Sequence, residues 1–246
     1  KIGTNVITNN RGLLNQSVVS KLAVQVAALK RRGYAVVLVT SGAMGAGRSL
    51  VKPDERLNKV ERRQVLAATG QIKLVSTYLG CFKKLGLCCA QVLTCKEDFR
   101  DKQHYLNMRG CLRALLKNSL VPIVNENDVV AVEELMFTDN DELAGLVAGM
   151  IKAKRLIVLT TVDGVKDNRG RVIKVIKRRS DYQRFVTPEK SSFGRGGMSA
   201  KCATAMRSAK LGIQTHIISG KIKNGILKVV AGEKIGTVFM PQRRNI

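Results

Sequence analysis

Short runs of apolar residues alternate along the chain with longer segments in which apolar residues recur every three or four positions. The short runs predict buried β-strands, and the longer segments predict amphipathic α-helices. The predicted strands cover 2–8, 35–39, 87–93, 121–124, 155–161, 214–218 and 236–240. The predicted helices are a first one capped by Ser17 and ended by Gly33, then 58–80, 101–118, 139–152, 197–211 and 224–231.

This alternation of strands and helices predicts the α/β class. Strands that alternate with helices form mostly parallel sheets covered by helices on both faces. We therefore expect a three-layer αβα sandwich with a mostly parallel central sheet. The chain has only four prolines and no proline-rich linker, so we expect a single domain over 1–246. Ligands of such sheets bind beyond the carboxyl ends of the strands, which directs attention to the loops there.

Composition and charge narrow the classes of partner. Hydrophobic residues make up 45% of the chain and charged residues 25%, as in ordinary globular proteins. No apolar run approaches the ~20 residues of a membrane helix, so no membrane partner is expected. The formal net charge of +25 attracts polyanions, including nucleic acids and phosphorylated substrates. Aromatic residues are only 4%, with no Trp, which disfavours nucleic acid because few side chains can stack on bases.

The cysteines favour a reduced, cytoplasmic protein. There are six of them without a CxxC pair, and only two histidines accompany them. This composition argues against a zinc site. Cys88 and Cys89 lie in the predicted strand 87–93, where buried thiols are the expected interpretation.

Two glycine-rich loops have the composition of anion sites. Residues 40–47 (TSGAMGAG) follow the strand 35–39, and such small residues leave backbone N–H groups free to surround an anion. Residues 194–201 (GRGGMSAK) lead into the helix 197–211, whose N-terminus is suited to phosphate. Lys201 lies one turn into that helix and can reach a transferring phosphoryl group. Each loop taken alone also fits an ordinary glycine turn.

Two clusters of polar residues lie next to predicted elements, one at the end of a strand and one before a helix. Residues 125–128 (NEND) end a buried strand, where Asp128 can bind the α-ammonium group of an amino acid, although Asx residues also favour turns. Residues 138–142 (TDNDE) precede a helix, with Asp139 and Glu142 at the spacing of a capping box. In such a basic protein the same acids can align lysines. Lys1 lies beside the first predicted strand and is either a phosphate ligand or a solvated side chain.

Together and in this order, these loops resemble the amino acid kinase family, in particular its members that phosphorylate glutamate. The motifs of the resemblance extend over essentially the whole chain. They are KIGT (1–4), VTSGAMGAGR (39–48), LAATGQ (66–71), NEND (125–128), DND (139–141), GGMSAK (196–201) and IGTVF (235–239). The resemblance implies one amino acid kinase domain over 1–246, without the PUA module that many bacterial members carry.

The resemblance also implies a reaction and a set of site residues. The reaction is ATP-dependent phosphorylation of the γ-carboxylate of L-glutamate to γ-glutamyl phosphate, the first step of proline biosynthesis. Lys1 and Lys201 stabilise charge at the transferring phosphoryl group, and Asp141 orients both lysines. The residues implied for glutamate binding are Ser41, Asp128 and Asn140. The residues implied for ATP binding are Lys1, Thr160, Thr161, Arg195, Gly196, Gly197, Met198, Ser199, Ala200 and Lys201.

This reaction needs no strong general base, because a carboxylate is already a nucleophile. Lysines, Mg²⁺ and backbone N–H groups suffice to bring two anions together and to neutralise the transition state. The implied cofactors are ATP and Mg²⁺, without metal ligands from the protein. The implied partners are proline as a feedback inhibitor and further copies of the chain in a dimer or tetramer. Two alternatives stay open: another small-carboxylate kinase of the family, and a polyanion- or RNA-binding protein on a kinase-like fold.

Overall fold

A computed structural model describes residues 1–131, 140–186 and 197–242. The chain forms two compact units, one of Ile7–Phe137 and one that combines Lys1–Val6 with Thr138–Ile246. Each unit contains helices and a sheet with parallel strands. The predicted α/β class is therefore confirmed, while the grouping of both units into one domain stays a prediction.

The unit Ile7–Phe137 is built on a three-stranded, fully parallel sheet. The strand order is β1-β3-β2, and the register pairs Leu38 with Ile123 and Cys89 with Val121. All six residues of the central strand β3 are buried. The first helix, α1 (Thr4–Ile7), ends where this unit begins and has its first three residues in the other unit. The elements of this unit are α2 (Gln16–Arg31), β1 (Leu38–Val39), α3 (Ala43–Gly47), α4 (Lys59–Lys83), β2 (Cys89–Thr94), α5 (Lys102–Lys117) and β3 (Val121–Glu126).

Polar side chains begin the three long helices of this unit. Asn58 and Glu61 form a capping box at the start of α4, and Asp101 caps α5 through a side-chain oxygen. Asn15 caps α2, so the prediction that Ser17 is the cap is wrong: Ser17 lies inside the first turn. Asn and Ser can both accept a hydrogen bond from the unpaired N–H groups at the start of a helix. Residue type alone therefore does not show whether Asn15 or Ser17 is the cap.

The unit of Lys1–Val6 and Thr138–Ile246 is built on a four-stranded mixed sheet. The strand order is β4-β6-β7-β5, in which only the β6–β7 pair is antiparallel. The elements are α6 (Asn140–Met150), β4 (Arg155–Thr160), β5 (Val175–Ile176), α7 (Met198–Lys210), β6 (Gln214–Ser219), α8 (Gly225–Val230) and β7 (Thr237–Phe239). Within the described ranges, every helix is too short or too polar to cross a membrane.

The predicted first strand, 2–8, is wrong beyond its first residue. Ile2 forms a single parallel bridge with Leu159, and the N–H of Gly3 donates to the Leu159 carbonyl at 3.4 Å. The chain then turns into α1, which begins at Thr4. The predicted turn 41–47 likewise contains the short helix α3. Both errors concern segments of four or five residues, which are too short to show a hydrophobic period.

The cysteines are all unpaired thiols. Burial raises the pKa of Cys202 to about 12 and contributes most to a pKa of about 11 for Cys95, so both thiols stay protonated. Cys88 is exposed and Cys89 is half-buried, so the prediction that both lie in a buried strand is wrong. The strand β2, which contains Cys89, occupies an outer position in its sheet and therefore has less cover than β3.

His216, in the middle of β6, gives the fold a pH dependence. The residue is 8% exposed, and its Nε2 has no hydrogen-bond partner among the described residues. Burial, reinforced by the positive charge of Arg155, lowers its pKa to about 4, against about 6.5 in an unfolded chain. The unfolded state therefore binds the proton first as the pH falls, so stability is lost from about pH 6.5 down to about pH 4. Because of His216, the free energy of unfolding should fall by about 1 kcal/mol between pH 7 and pH 5.5.

Urea unfolding of the wild type and of His216→Val at these two pH values tests the prediction. Valine suits a buried strand and does not titrate, so the variant should lose about 1 kcal/mol less than the wild type on acidification. An equal loss of unfolding free energy in the two proteins would contradict the assignment.

Candidate active site

Close packing of α6 on α7 brings two helix starts together. A Cβ at Gly145 of α6 would lie 2.8 Å from Cγ2 of Thr204 in α7, so the helices touch where one of them has no side chain. Asp141 lies one turn before Gly145, and Lys201 lies one turn before Thr204. Because residues three or four apart share a helix face, this packing directs Asp141 and Lys201 toward each other.

Asp141 is the centre of a buried ion cluster. One carboxylate oxygen, Oδ1, lies 2.5 Å from Nζ of Lys1, and the other, Oδ2, lies 3.0 Å from Nζ of Lys201. The Asp141 side chain is fully buried, while those of Lys1 and Lys201 are 5% and 13% exposed. The backbone of Lys1 is fixed beside β4, since its carbonyl accepts the Leu159 N–H at 2.9 Å. The cluster therefore joins three separate segments of one unit.

The charges of this cluster favour an additional anion. Two ammonium groups surround one carboxylate, which leaves a net charge of +1 on these three side chains in a largely dry environment. Charge interactions are stronger there than in water. The first N–H groups of a helix have no partner within the helix, so the start of α7 adds partial positive charge near Lys201. A phosphoryl group is one of the anions that match point charges and a helix N-terminus together.

The structure brings most of the predicted ATP-binding residues into this unit. Thr160 ends β4, where its carbonyl accepts the N–H of Gly220 at 2.7 Å, and the exposed Thr161 follows it. The cap and first turn of α7 contain Gly197, Met198, Ser199, Ala200 and Lys201. Arg195 and Gly196 lie outside the described residues, as does the predicted helix start Asp139.

The loop after β1 contains the predicted glutamate ligand Ser41. The preceding Thr40 has its hydroxyl oxygen 3.0 Å from the phenol oxygen of Tyr78 in α4. Burial raises the pKa of Tyr78, so the phenol stays a neutral hydrogen-bonding partner. The following Gly42 has φ +107°, a backbone conformation that other residues adopt only under strain. The loop thus holds Ser41 between two fixed neighbours.

Two glycines allow α3 and α4 to pack at backbone distance. A Cβ at Gly70 would lie 1.8 Å from the carbonyl oxygen of Ala43, and one at Gly47 would lie 2.0 Å from that of Leu66. Neither position has room for any side chain. The short helix after Ser41 therefore lies directly on α4.

The end of β3 has a buried amide pair. Asn125 donates from its side-chain nitrogen to Oε1 of Gln71 at 2.9 Å, and the two residues are 2% and 9% exposed. The Nε2 atom of Gln71 has no hydrogen-bond partner among the described residues. A buried donor without a partner is costly, and it suits a site that receives a polar ligand. Gln71 belongs to the LAATGQ motif, but the sequence alone assigned it no role.

Asp128, the predicted ligand of the α-ammonium group, forms an ion pair with Arg63 of α4. Nε of Arg63 lies 3.7 Å from Oδ1 of Asp128, and the two side chains are 13% and 12% exposed. No feature of the sequence predicted this partner. Ser41 and Asp128 belong to the unit Ile7–Phe137, whereas Asn140, the third predicted glutamate ligand, begins α6 in the other unit.

The side chains around Asp141 are better suited to binding a phosphate group than to holding a metal ion with protein ligands alone. Within residues 1–131, 140–186 and 197–242, no three His, Cys, Asp or Glu side chains form a group that could hold a metal ion. Both oxygens of Asp141 face lysines. A divalent ion at this site would therefore depend on oxygens from a bound phosphate.

An α/β fold with two lysines around a buried carboxylate, next to a helix N-terminus, is an arrangement suited to phosphoryl transfer. The chain belongs to the amino acid kinase family, whose model matches residues 1–219. This result confirms the family resemblance carried by the loop motifs.

Curated relatives and solved structures agree with this membership. A glutamate 5-kinase of Chlorobaculum tepidum is 50% identical over 248 residues, covering 99% of this chain and 68% of the relative. One of Bacteroides thetaiotaomicron is 40% identical over 253 residues, covering 100% and 70%. A solved isopentenyl phosphate kinase superposes with a TM-score of 0.64 at 15% identity, covering 97% of this chain and 98% of that one. The last similarity confirms the fold.

Proposed function

We propose that the chain transfers the γ-phosphoryl group of ATP to the γ-carboxylate of L-glutamate, which gives γ-glutamyl phosphate and ADP in the first step of proline biosynthesis. The observation that carries the proposal is the cluster of Lys1 and Lys201 around Asp141. The names of the relatives from C. tepidum and B. thetaiotaomicron support it, since both are glutamate 5-kinases.

The proposed chemistry is an in-line displacement at phosphorus. A γ-carboxylate oxygen of glutamate forms a bond to the γ-phosphorus while the bond from that phosphorus to the β–γ bridging oxygen breaks, and ADP leaves with the electron pair. The nucleophile arrives ionised, because a free γ-carboxyl has a pKa of about 4.3. Lys1 and Lys201 stabilise the charge that spreads over the phosphoryl oxygens. Asp141 keeps both ammonium groups pointed at the same small volume.

The acceptor side of the proposal uses Ser41 and Asp128 of the unit Ile7–Phe137, together with Asn140 at the start of α6. We assign Asp128 to the α-ammonium group of glutamate, because a carboxylate is the natural partner of that cation. Ser41 and Asn140 are assigned as hydrogen-bonding partners of the substrate's oxygens. The N–H groups and side chains of 160–161 and 195–201 are assigned to ATP.

Mg²⁺ is part of the proposal as an ion that arrives with ATP. We assign it to phosphate oxygens and water, which are the ligands it prefers with nucleotides, and it supplies neutralisation of phosphate charge when bound. Asp141 is excluded as its main ligand because both of its oxygens face lysines.

Further parts of the proposal rest on the family resemblance. They are a single domain over 1–246, proline as a feedback inhibitor, and a dimer or tetramer of this chain. A cytoplasmic location is added because all six cysteines are unpaired thiols, which is usual in reducing compartments. Light scattering during size-exclusion chromatography measures the assembly.

A coupled assay of ADP release tests the central proposal. We expect release that depends on both ATP and L-glutamate, and much less with aspartate or glutarate. Turnover with a different acid alone would favour another small-carboxylate kinase. No turnover with any acid, together with salt-sensitive RNA binding, would favour the polyanion-binding alternative that the +25 charge suggests.

Asp128→Asn should raise the KM for glutamate ten- to a hundredfold while kcat changes little. A hydrogen bond to a charged group contributes about 1.5–3 kcal/mol, and this one is made equally in the ground and transition states. Steady-state kinetics with varied glutamate measures the change. Asp54→Asn is the matched control, since Asp54 is an exposed partner of Arg56 in the same unit. A KM that matches the control would remove Asp128 from the substrate site.

A further inference from the structure

The loop after β3 is tied to one helix, α4, by three contacts. The Arg63 guanidinium donates to the carbonyl of Ala131 at 2.7 Å, and the Gln64 side chain donates to the carbonyl of Val129 at 2.7 Å. The third contact is the ion pair between Arg63 and Asp128. Two neighbouring side chains of α4 therefore hold both the backbone of 127–131 and the Asp128 carboxylate, the one charged side chain in that described part of the loop.

Arg63 and Gln64 both contact the loop after β3, but only Arg63 brings a positive charge to that contact. Its guanidinium reaches the loop backbone through one nitrogen and faces the Asp128 carboxylate through Nε at 3.7 Å. Nε has no hydrogen-bond partner among the described residues, so its contact with Asp128 is electrostatic. Both side chains are more than 85% buried, where a carboxylate without a nearby cation is costly.

We propose that Arg63 is a positioning residue for glutamate binding, which acts by compensating the charge of Asp128 and by orienting its carboxylate toward the substrate's α-ammonium group. The inference rests on the proposed function, because it requires Asp128 to bind glutamate. At 3.7 Å from Oδ1 of Asp128, the Arg63 guanidinium lies close enough to compensate the charge of the carboxylate.

The expected signature is a change in glutamate affinity without a change in the phosphoryl-transfer step. Arg63→Met should raise the KM for glutamate about tenfold, while the KM for ATP and kcat stay within about twofold. Arg63→Lys restores the positive charge and should return the KM for glutamate to within about threefold of the wild type. Arg62→Met is the matched control, because Arg62 is exposed on the adjacent position of the same helix.

A double-mutant cycle with Asp128→Asn identifies the route by which Arg63 acts. If Arg63 works through Asp128, then Arg63→Met should leave the KM for glutamate unchanged when it is added to Asp128→Asn, because interacting residues are not additive. Gln64→Ala removes the neighbouring backbone tether without altering charge, and it should change the KM for glutamate less than threefold. Thermal unfolding without ligands checks that every variant is folded.

The outcomes separate this inference from the proposed function. If the wild type neither turns over nor is thermally stabilised by L-glutamate, the proposed function fails. If the wild type uses glutamate but Arg63→Met behaves like Arg62→Met, the positioning role is wrong. The role is also wrong if Arg63→Lys is as impaired as Arg63→Met, or if Arg63→Met adds its full effect to Asp128→Asn. Should Arg63→Met fail to fold, Arg63→Gln takes its place in the cycle, because glutamine removes the positive charge but keeps a side-chain donor for the Ala131 carbonyl.

Discussion

Lys201→Ala should lower kcat by about 10²–10³-fold and change the KM for glutamate by no more than a few fold. A preorganised group that stabilises developing charge in a water-excluded site contributes about this much. Lys201 fits that description because its side chain is 13% exposed and its ammonium nitrogen lies 3.0 Å from the buried Asp141 carboxylate. Its charge matters most when phosphoryl oxygens carry the spread negative charge of the transition state, so the loss appears in kcat.

Two further variants make the Lys201 result specific. Lys210→Ala removes the same side chain from the exposed C-terminal end of the same helix, and it should leave kcat unchanged. Lys201→Arg keeps the charge but replaces a compact ammonium group with a broad planar one, so it should recover only part of the activity. A Lys201→Ala enzyme with kcat near that of Lys210→Ala would rule out a role at the phosphoryl group.

Asp141→Asn should impair both stability and catalysis. The substitution removes the buried carboxylate that pairs with both Lys1 and Lys201, and breaking a buried ion pair on one side costs about 3–5 kcal/mol. For a chain of this size, 1 kcal/mol corresponds to roughly 2–4 °C in Tm, so we expect a fall of about 10 °C. Catalysis should fall as well, because the two ammonium groups lose the carboxylate that holds them together.

Added anions distinguish this electrostatic effect from a general packing defect. The three side chains change from a net charge of +1 to +2 in Asp141→Asn, so sulfate or phosphate should raise the Tm of the variant more than that of the wild type. Asp163→Asn is the control, since Asp163 is exposed in the same unit. An equal anion response in Asp141→Asn and Asp163→Asn would show that charge compensation is not what Asp141 supplies.

Hydrophobic periodicity predicted the long elements well and the short ones poorly. The predicted helix 58–80 corresponds to α4, Lys59–Lys83, and the predicted strand 121–124 to β3, Val121–Glu126. Such elements show several repeats of their period, which makes them readable. The two-residue strand β5 and the helical turn α1 are decided by contacts distant in sequence, such as the bridge of Ile2 to Leu159.

The site was predictable where its residues lie next to strand ends or in the first turn of a helix, and it was not predictable where they lie in the interior of a helix. Lys1, Asp141 and Lys201 each stand next to a recognisable strand end or helix start, and the structure brings them together. Arg63 and Gln71 occupy the interior of α4, where a polar residue has no positional signal of its own. Their importance arises only when α4 packs against the ends of β1 and β3, which no local pattern encodes.

The glycine contacts between α3 and α4 also limit how this protein can be redesigned. A Cβ added at Gly47 or Gly70 would lie less than 2.1 Å from a backbone oxygen. In a library of variants designed to accept a longer or bulkier substrate, any substitution at these two positions would therefore disrupt the packing of α3 on α4. Natural substitution of Gly47 and Gly70 is restricted for the same reason, because the two helix backbones are in direct contact and leave no side chain whose shortening would make room. A change in the preferred acceptor substrate therefore has to come from side chains such as Ser41, and not from a change in the distance between α3 and α4.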